Sequence, residues 1–127
     1  MQRMRTVLAV ALAGALGAFA RWGIGSWFGH RFPSFPWGTL VINVSGSFIL
    51  GVLFALLIER NAGSPTMRVA LMTGLLGAYT TFSTFSLETF RLFEDSATGS
   101  ALANIGLSVV VGLLAVWLGI AAGRAVA

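Results

Sequence analysis

The sequence predicts an all-α integral membrane protein of four spanning helices, on three observations. Hydrophobic residues fill 57% of the 127 positions and charged residues only 9%. Mean hydropathy is +0.88, far from the balance of soluble domains. The apolar residues fall into four runs, approximately 5–28, 38–60, 67–93 and 100–124, each close to the roughly 20 residues that cross a bilayer. The segments between them are short, so positions 1–127 read as a single membrane domain with no soluble catalytic domain.

The first run carries Gly14, Gly17, Ala18, Arg21 and Gly25 on one face, a small-residue surface interrupted by one cation. Its opening, Arg3 and Arg5 followed by apolar residues up to Ala20, has the outline of a signal peptide. The apolar stretch continues past Arg21 to Phe28, which favours a span. Arg21 suits either an ion pair with Glu88 or a cationic vestibule that attracts anions.

In the second run Thr39, Asn43, Ser47 and Gly51 recur every four residues and make a narrow polar track along one helix face. Serines and threonines at such positions commonly bond one helix to another, each for about 1 kcal/mol. Asn43 differs, because burying its amide demands a definite partner. It is expected to line a path or to orient another group that does.

The third run is the most informative. From Gly74 to Glu88 it holds five Ser and Thr hydroxyls, two glycines and a carboxylate at bilayer depth, where unsatisfied polar groups are costly and mark functional paths. A regular helix would gather Thr80, Ser83 and Thr84 on one side and Phe82 and Phe85 on the other. Two phenylalanines three apart are ordinarily core packing, but here they alternate with hydroxyls, and ring edges can contact an anion. Gly74 and Gly77 before the hydroxyl cluster suggest a helix break near 77–84. Such a break would free carbonyls for a cation such as Na⁺ near Gly77 and Thr80. Glu88 reads as a pore-side carboxylate, a proton site or an interfacial side chain.

The fourth run repeats the four-residue spacing with Ser100, Asn104, Ser108 and Gly112. Cysteine is absent, which removes disulfide and thiol chemistry. All eight basic residues are arginines scattered singly, so nucleic acid is not an expected partner. With four spans, Arg3, Arg5, Arg60 and Arg124 share a side, joined by Arg68 depending on the count. Arg31, Arg91 and, on some counts, Arg21 lie opposite. That excess is modest under the positive-inside rule. It leaves open a single orientation with a small bias or a dual topology with an antiparallel dimer; the 16 glycines favour self-association.

With these residues in view, the chain resembles the Fluc (CrcB) family of fluoride channels over all four spans. The resemblance rests on Gly14-Ala-Leu-Gly17-Ala18-Phe-Ala-Arg21, on Gly38-Thr39-Leu-Val-Ile-Asn43-Val-Ser-Gly46 to Gly51, and above all on Gly74 to Glu88. Ala13 and Ala78 stand where glycine is common in the family. The resemblance implies a passive fluoride-selective channel, not an enzyme, in a cell inner membrane. It would relieve fluoride toxicity as an antiparallel, dual-topology homodimer with the third helix broken near the midplane. It also implies Na⁺ at the dimer centre on carbonyls of Gly77 and Thr80, pore aromatics at Phe82 and Phe85, and Asn43 in the pore wall. Ser83, Thr84, Glu88 and Ser108 would form a polar track and Arg21 a vestibule.

Two other readings compete. A proton-coupled exporter of the small multidrug-resistance type is also a four-helix dual-topology dimer, but it uses a carboxylate on its first helix, and the first run here has none. A structural subunit of a larger membrane complex would transport nothing alone.

Overall fold

The computed structural model describes residues 1–126, and these form five helices and no strand. Helix α1 is Gln2–Arg31, α2 is Trp37–Glu59, α3 covers 65–79, α4 is Phe82–Glu94 and α5 is Thr98–Ala125. Three of them, α1, α2 and α5, are long and apolar enough to cross a membrane. The third predicted run is divided between α3 and α4, which are separated by two extended residues, Thr80 and Thr81.

Local sequence explains the ends. Ser64 accepts a hydrogen bond from the Met67 amide at 3.2 Å, and Pro65 occupies the first helical position, so α3 starts there. Gly63 supplies the left-handed backbone (φ 71°) that the preceding turn requires. Two stretches wind more widely than an α-helix, Phe54–Glu59 at the end of α2 and Val69–Leu76 within α3. Wide turns of this kind accompany functional irregularities in helices.

Packing follows two close pairs, α1 against α3 and α2 against α5. Small residues set both. A Cβ on Gly17 would overlap the Leu75 carbonyl, and one on Gly74 would lie 2.9 Å from the Val10 oxygen. In the second pair, Gly119 sits against the Phe48 carbonyl and a Cβ on Gly123 would lie 2.8 Å from the Ala55 Cβ. The small face of α1 is therefore a packing surface, and the four-residue track of α2 ends in a helix contact, because Gly51 meets the Val116 carbonyl of α5. Gly112, by contrast, has open space around it.

The buried apolar set is small, with Ile42 (2% exposed), Leu57 and Leu76 its main large members. The outward surface is apolar instead: Leu12, Leu16, Phe19, Leu113 and Trp117 are all well exposed. Such a surface suits hydrocarbon, with the aromatics Trp27, Phe32, Phe35 and Trp37 gathered at one end of the bundle.

Replacing Gly17 or Gly119 with Val should force backbones apart and cost about 3 kcal/mol or more each. Gly112→Ala should be nearly neutral. Thermal unfolding in detergent checks both expectations.

Candidate functional site: a polar corridor at the helix break

The break is held by specific side chains. Asn43 on α2 accepts from the Thr81 amide at 2.8 Å and donates to the Thr81 carbonyl at 3.0 Å, as a neighbouring strand would. Thr81 then caps α4, its hydroxyl accepting from the Thr84 amide at 3.2 Å. Before the break, the Thr80 hydroxyl donates back to the Leu76 carbonyl at 2.9 Å, and Arg21 reaches across from α1 to donate to the Ala78 carbonyl at 3.0 Å.

The carbonyls of Gly77, Ala78, Tyr79 and Thr80 all lose their helical donors as a result, and of these Ala78 gains Arg21 instead. The Thr81 amide that would serve Gly77 is committed to Asn43, and the Thr84 amide that would serve Thr80 is committed to Thr81. Gly77 and Thr80 line an open cleft of about 300 Å³ with Asn43, Ser47 and Phe82. Unwound carbonyls of this kind suit a hard cation such as Na⁺. No group of three or more His, Asp or Glu side chains capable of holding a metal exists among the described residues.

On the other side of the break lies a cavity of about 390 Å³ lined by Arg21, Thr39, Thr81, Thr84 and Glu88. Thr39 donates to Glu88 Oε1 at 3.0 Å, while Glu88 Oε2 is buried without a partner. Arg21 and Glu88 share the cavity but form no ion pair; the single ion pair among the described residues joins Arg124 to Glu59. The guanidinium instead completes the backbone bonding of the break and presents its charge to the cavity.

The expectation of one hydroxyl face and one aromatic face on a regular helix is corrected here. Thr80 belongs to the segment before the break, so it does not share a helix with Ser83 and Thr84. Phe82 and Phe85 stand 5.8 Å apart between ring centroids at 46°. Phe82 is 80% exposed and Phe85 half-buried. Ser83 is exposed, and Ser108 on α5 has a buried hydroxyl with no partner.

Two contributors were not singled out from sequence. Thr81 is a residue type favoured at a helix N-cap and stands directly before the Phe82–Phe85 run, a usable signal. Thr89 is buried and relays between helices: Asn104 of α5, 1% exposed, donates to its hydroxyl at 2.9 Å, and that hydroxyl donates to the Phe85 carbonyl at 2.7 Å. The four-residue spacing of α5 marked Asn104, but nothing local marked Thr89 as its partner.

Charge is divided unequally between the ends. Arg68 folds onto the preceding loop, donating to Asn61 Oδ1 at 2.6 Å, and so joins Arg3, Arg5, Arg60 and Arg124. Arg21 lies within the bundle against the Ala78 carbonyl and counts for neither end. Five arginines at one end face Arg31 and Arg91 at the other, the largest of the excesses that the sequence count allows.

An all-helical membrane protein with an interrupted helix, and polar cavities on either side of the interruption, is the class these features define. The chain belongs to the family described as CrcB-like protein, Camphor Resistance (CrcB), whose profile matches residues 8–120. It is 48% identical to the fluoride-specific ion channel FluC of Rhizobium meliloti (strain 1021) over 123 residues, 96% of this chain and 98% of that protein. It is 47% identical over 116 residues to the protein of the same name from Acidobacterium capsulatum, covering 91% and 93%. A third protein so named, from Methylococcus capsulatus, is 49% identical over 126 residues, and there the match spans 96% of this chain but only 54% of the longer relative.

Asn43→Leu removes both bonds to Thr81 and leaves its amide and carbonyl unpaired. It should cost about 2–6 kcal/mol, from roughly 1–3 kcal/mol for each of the two groups orphaned. Asn43→Asp, which retains an acceptor for the Thr81 amide, should lose less. Unfolding midpoints of the two variants in detergent make the comparison.

Proposed function

We propose that this chain is a passive, fluoride-selective channel that lets fluoride leave the cytoplasm across the inner membrane. The observation that carries the proposal is the break itself, with Arg21 and Thr84 lining the cavity on one side of it and Phe82 the cleft on the other, in a chain whose relatives are named fluoride-specific ion channels. Fluoride is small and strongly hydrated, so a selective path must replace its water with donors. Hydroxyls of Ser83, Thr84 and Ser108 and the positive ring edges of Phe82 and Phe85 supply that replacement. Arg21 draws the anion into the vestibule, and Asn43 keeps the wall in place.

In this reading α3 and α4 together form the third of four spans, broken within the bilayer. The working unit is an antiparallel homodimer. Support comes from Phe82, which one copy leaves 80% exposed, and from the open cleft beside it. The Gly77 and Thr80 carbonyls fit Na⁺, but two oxygens fall short of the roughly six that hard cations gather. A second copy would bring the matching pair, and the ion would tie the two breaks together by neutralising their carbonyl dipoles. The unequal arginine count makes one orientation of the chain the commoner, so the mixed dimer would be limited by the rarer one.

Driving force needs no coupled ion. A membrane potential contributes about 2.3 kcal/mol per elementary charge per 100 mV, which expels an anion from a negative interior. The only carboxylate in the corridor is Glu88, on α4, bonded to Thr39. That arrangement weighs against proton-coupled export through a first-helix acid.

Liposomes carrying the purified protein should release fluoride and retain chloride, with no dependence on a proton gradient. Equal release of both halides, or none of fluoride, would defeat the proposal. Phe82→Ile and Phe85→Ile should each lower fluoride flux at least about tenfold, equivalent to roughly 1.4 kcal/mol on the barrier, without changing the oligomeric state.

A further inference from the structure

The formal net charge of +4 is not spread over the molecule. At the end formed by the start of α1, the 60–64 loop and the close of α5, five arginines face one acid, Glu59; at the opposite end Arg31 and Arg91 are balanced by Glu94 and Asp95. Arg21 and Glu88, between the ends, cancel. The excess therefore belongs to one end alone.

Within that end the arginines differ in commitment. Arg124 is neutralised by Glu59, and Arg60 donates to the Arg124 carbonyl at 2.6 Å. Arg68 caps the loop through Asn61 and the carbonyls of Ala62 and Gly63. Arg3 and Arg5 are exposed and make no side-chain hydrogen bond or ion pair among the described residues. Their position is fixed nonetheless, because the next residue, Thr6, bonds Thr66 at 2.8 Å and so ties the first turns of α1 to α3.

The surroundings of Arg3 and Arg5 are apolar. Met1, Met4, Val7 and Leu8 are all more than half exposed on the same turns. A helix of 30 residues is about 45 Å long, against a hydrocarbon core of roughly 30 Å. The helix exceeds the hydrocarbon core by about 15 Å, enough to carry its first turns, with Arg3 and Arg5, to the level of lipid headgroups.

We propose that the Arg3–Arg5 turn binds anionic phospholipid headgroups, the two arginines, about 200° apart around the helix, each meeting one. A soluble phosphate would meet the same guanidinium groups, but it would gain nothing from Met4, Val7 and Leu8. A lipid satisfies both chemistries at once, its phosphate meeting arginine and its chains covering the exposed apolar side chains. The inference stands independently of which ion the corridor carries.

The test is native mass spectrometry of the detergent-solubilised full chain with added phosphatidylglycerol or phosphatidylcholine. Phosphatidylglycerol should be retained preferentially, and added salt should erode the preference. The double variant Arg3→Gln/Arg5→Gln should weaken phosphatidylglycerol retention by roughly thirtyfold, in line with the contribution of two arginines near a membrane surface, and leave phosphatidylcholine unchanged. Arg3→Lys/Arg5→Lys should restore it, and Arg31→Gln/Arg91→Gln, at the balanced end, should have no effect. Equal retention of the two lipids, or an unaltered preference in the Arg3/Arg5 glutamine variant, would overturn the inference. Displacement of the lipid by inorganic phosphate would also overturn it, by making the site one for a soluble anion. Melting temperature in lipid-free detergent should match the parent chain, separating loss of a lipid site from loss of fold.

Discussion

Asn43 meets Thr81 through both ends of its amide, and the rest of the site is organised around that exchange. A helix interrupted at bilayer depth leaves backbone groups that hydrocarbon cannot satisfy. Here one side chain from the neighbouring helix takes a donor and an acceptor of the same residue. With the Thr81 amide engaged there, the chain is held extended, and the Thr81 hydroxyl is free to start α4 by capping the Thr84 amide. The Gly77 and Thr80 carbonyls are left open as a direct consequence, and the cleft they line is as much a product of Asn43 as of the glycine and threonines themselves.

Arg21 and the glycines of α1 supply the second half of this arrangement. Close approach at Gly17 and Gly74 brings α1 near enough for Arg21 to reach the Ala78 carbonyl. One guanidinium nitrogen thereby satisfies the end of the segment before the break, and the charge it carries remains beside the cavity that also contains Thr39 and Glu88. Packing and electrostatics are coupled at one residue, because a bulkier side chain at Gly17 would move the cation as well as the helix.

Most of the architecture was legible from composition and periodicity. Apolar runs gave the long helices, and the Gly77-to-Thr84 hydroxyl cluster gave a break close to where Thr80 and Thr81 are extended. Asn43 stood out because a buried amide needs partners, and it has them. The faces of the interrupted segment were not legible: helical periodicity assumes one continuous helix, and the break places Thr80 on a different segment from Ser83 and Thr84. Nor was the Asn104–Thr89–Phe85 relay, since a hydroxyl that bonds its own helix backbone looks in sequence like any other threonine. The arginine balance was left open by the sequence for a related reason. Whether Arg68 and Arg21 belong to an end depends on hydrogen bonds to Asn61 and Ala78 that sequence spacing does not reveal.

The exposure of the corridor in a single copy has an energetic consequence. Phe82 projects outward, Ser83 is exposed, and the cleft with Gly77 and Thr80 is open along one side. Apolar groups there cost nothing against lipid, but freed carbonyls and hydroxyls do, at several kcal/mol for each group left unsatisfied in hydrocarbon. A water-filled path relieves that cost only if something other than lipid forms its outer wall. The proposed second copy provides such a wall and brings its own break opposite the first. In that arrangement the groups that would penalise an isolated chain become the lining that a dehydrated anion requires. Assembly and permeation then draw on the same polar atoms, which explains why so much unsatisfied polarity is concentrated on one short stretch of an otherwise apolar protein.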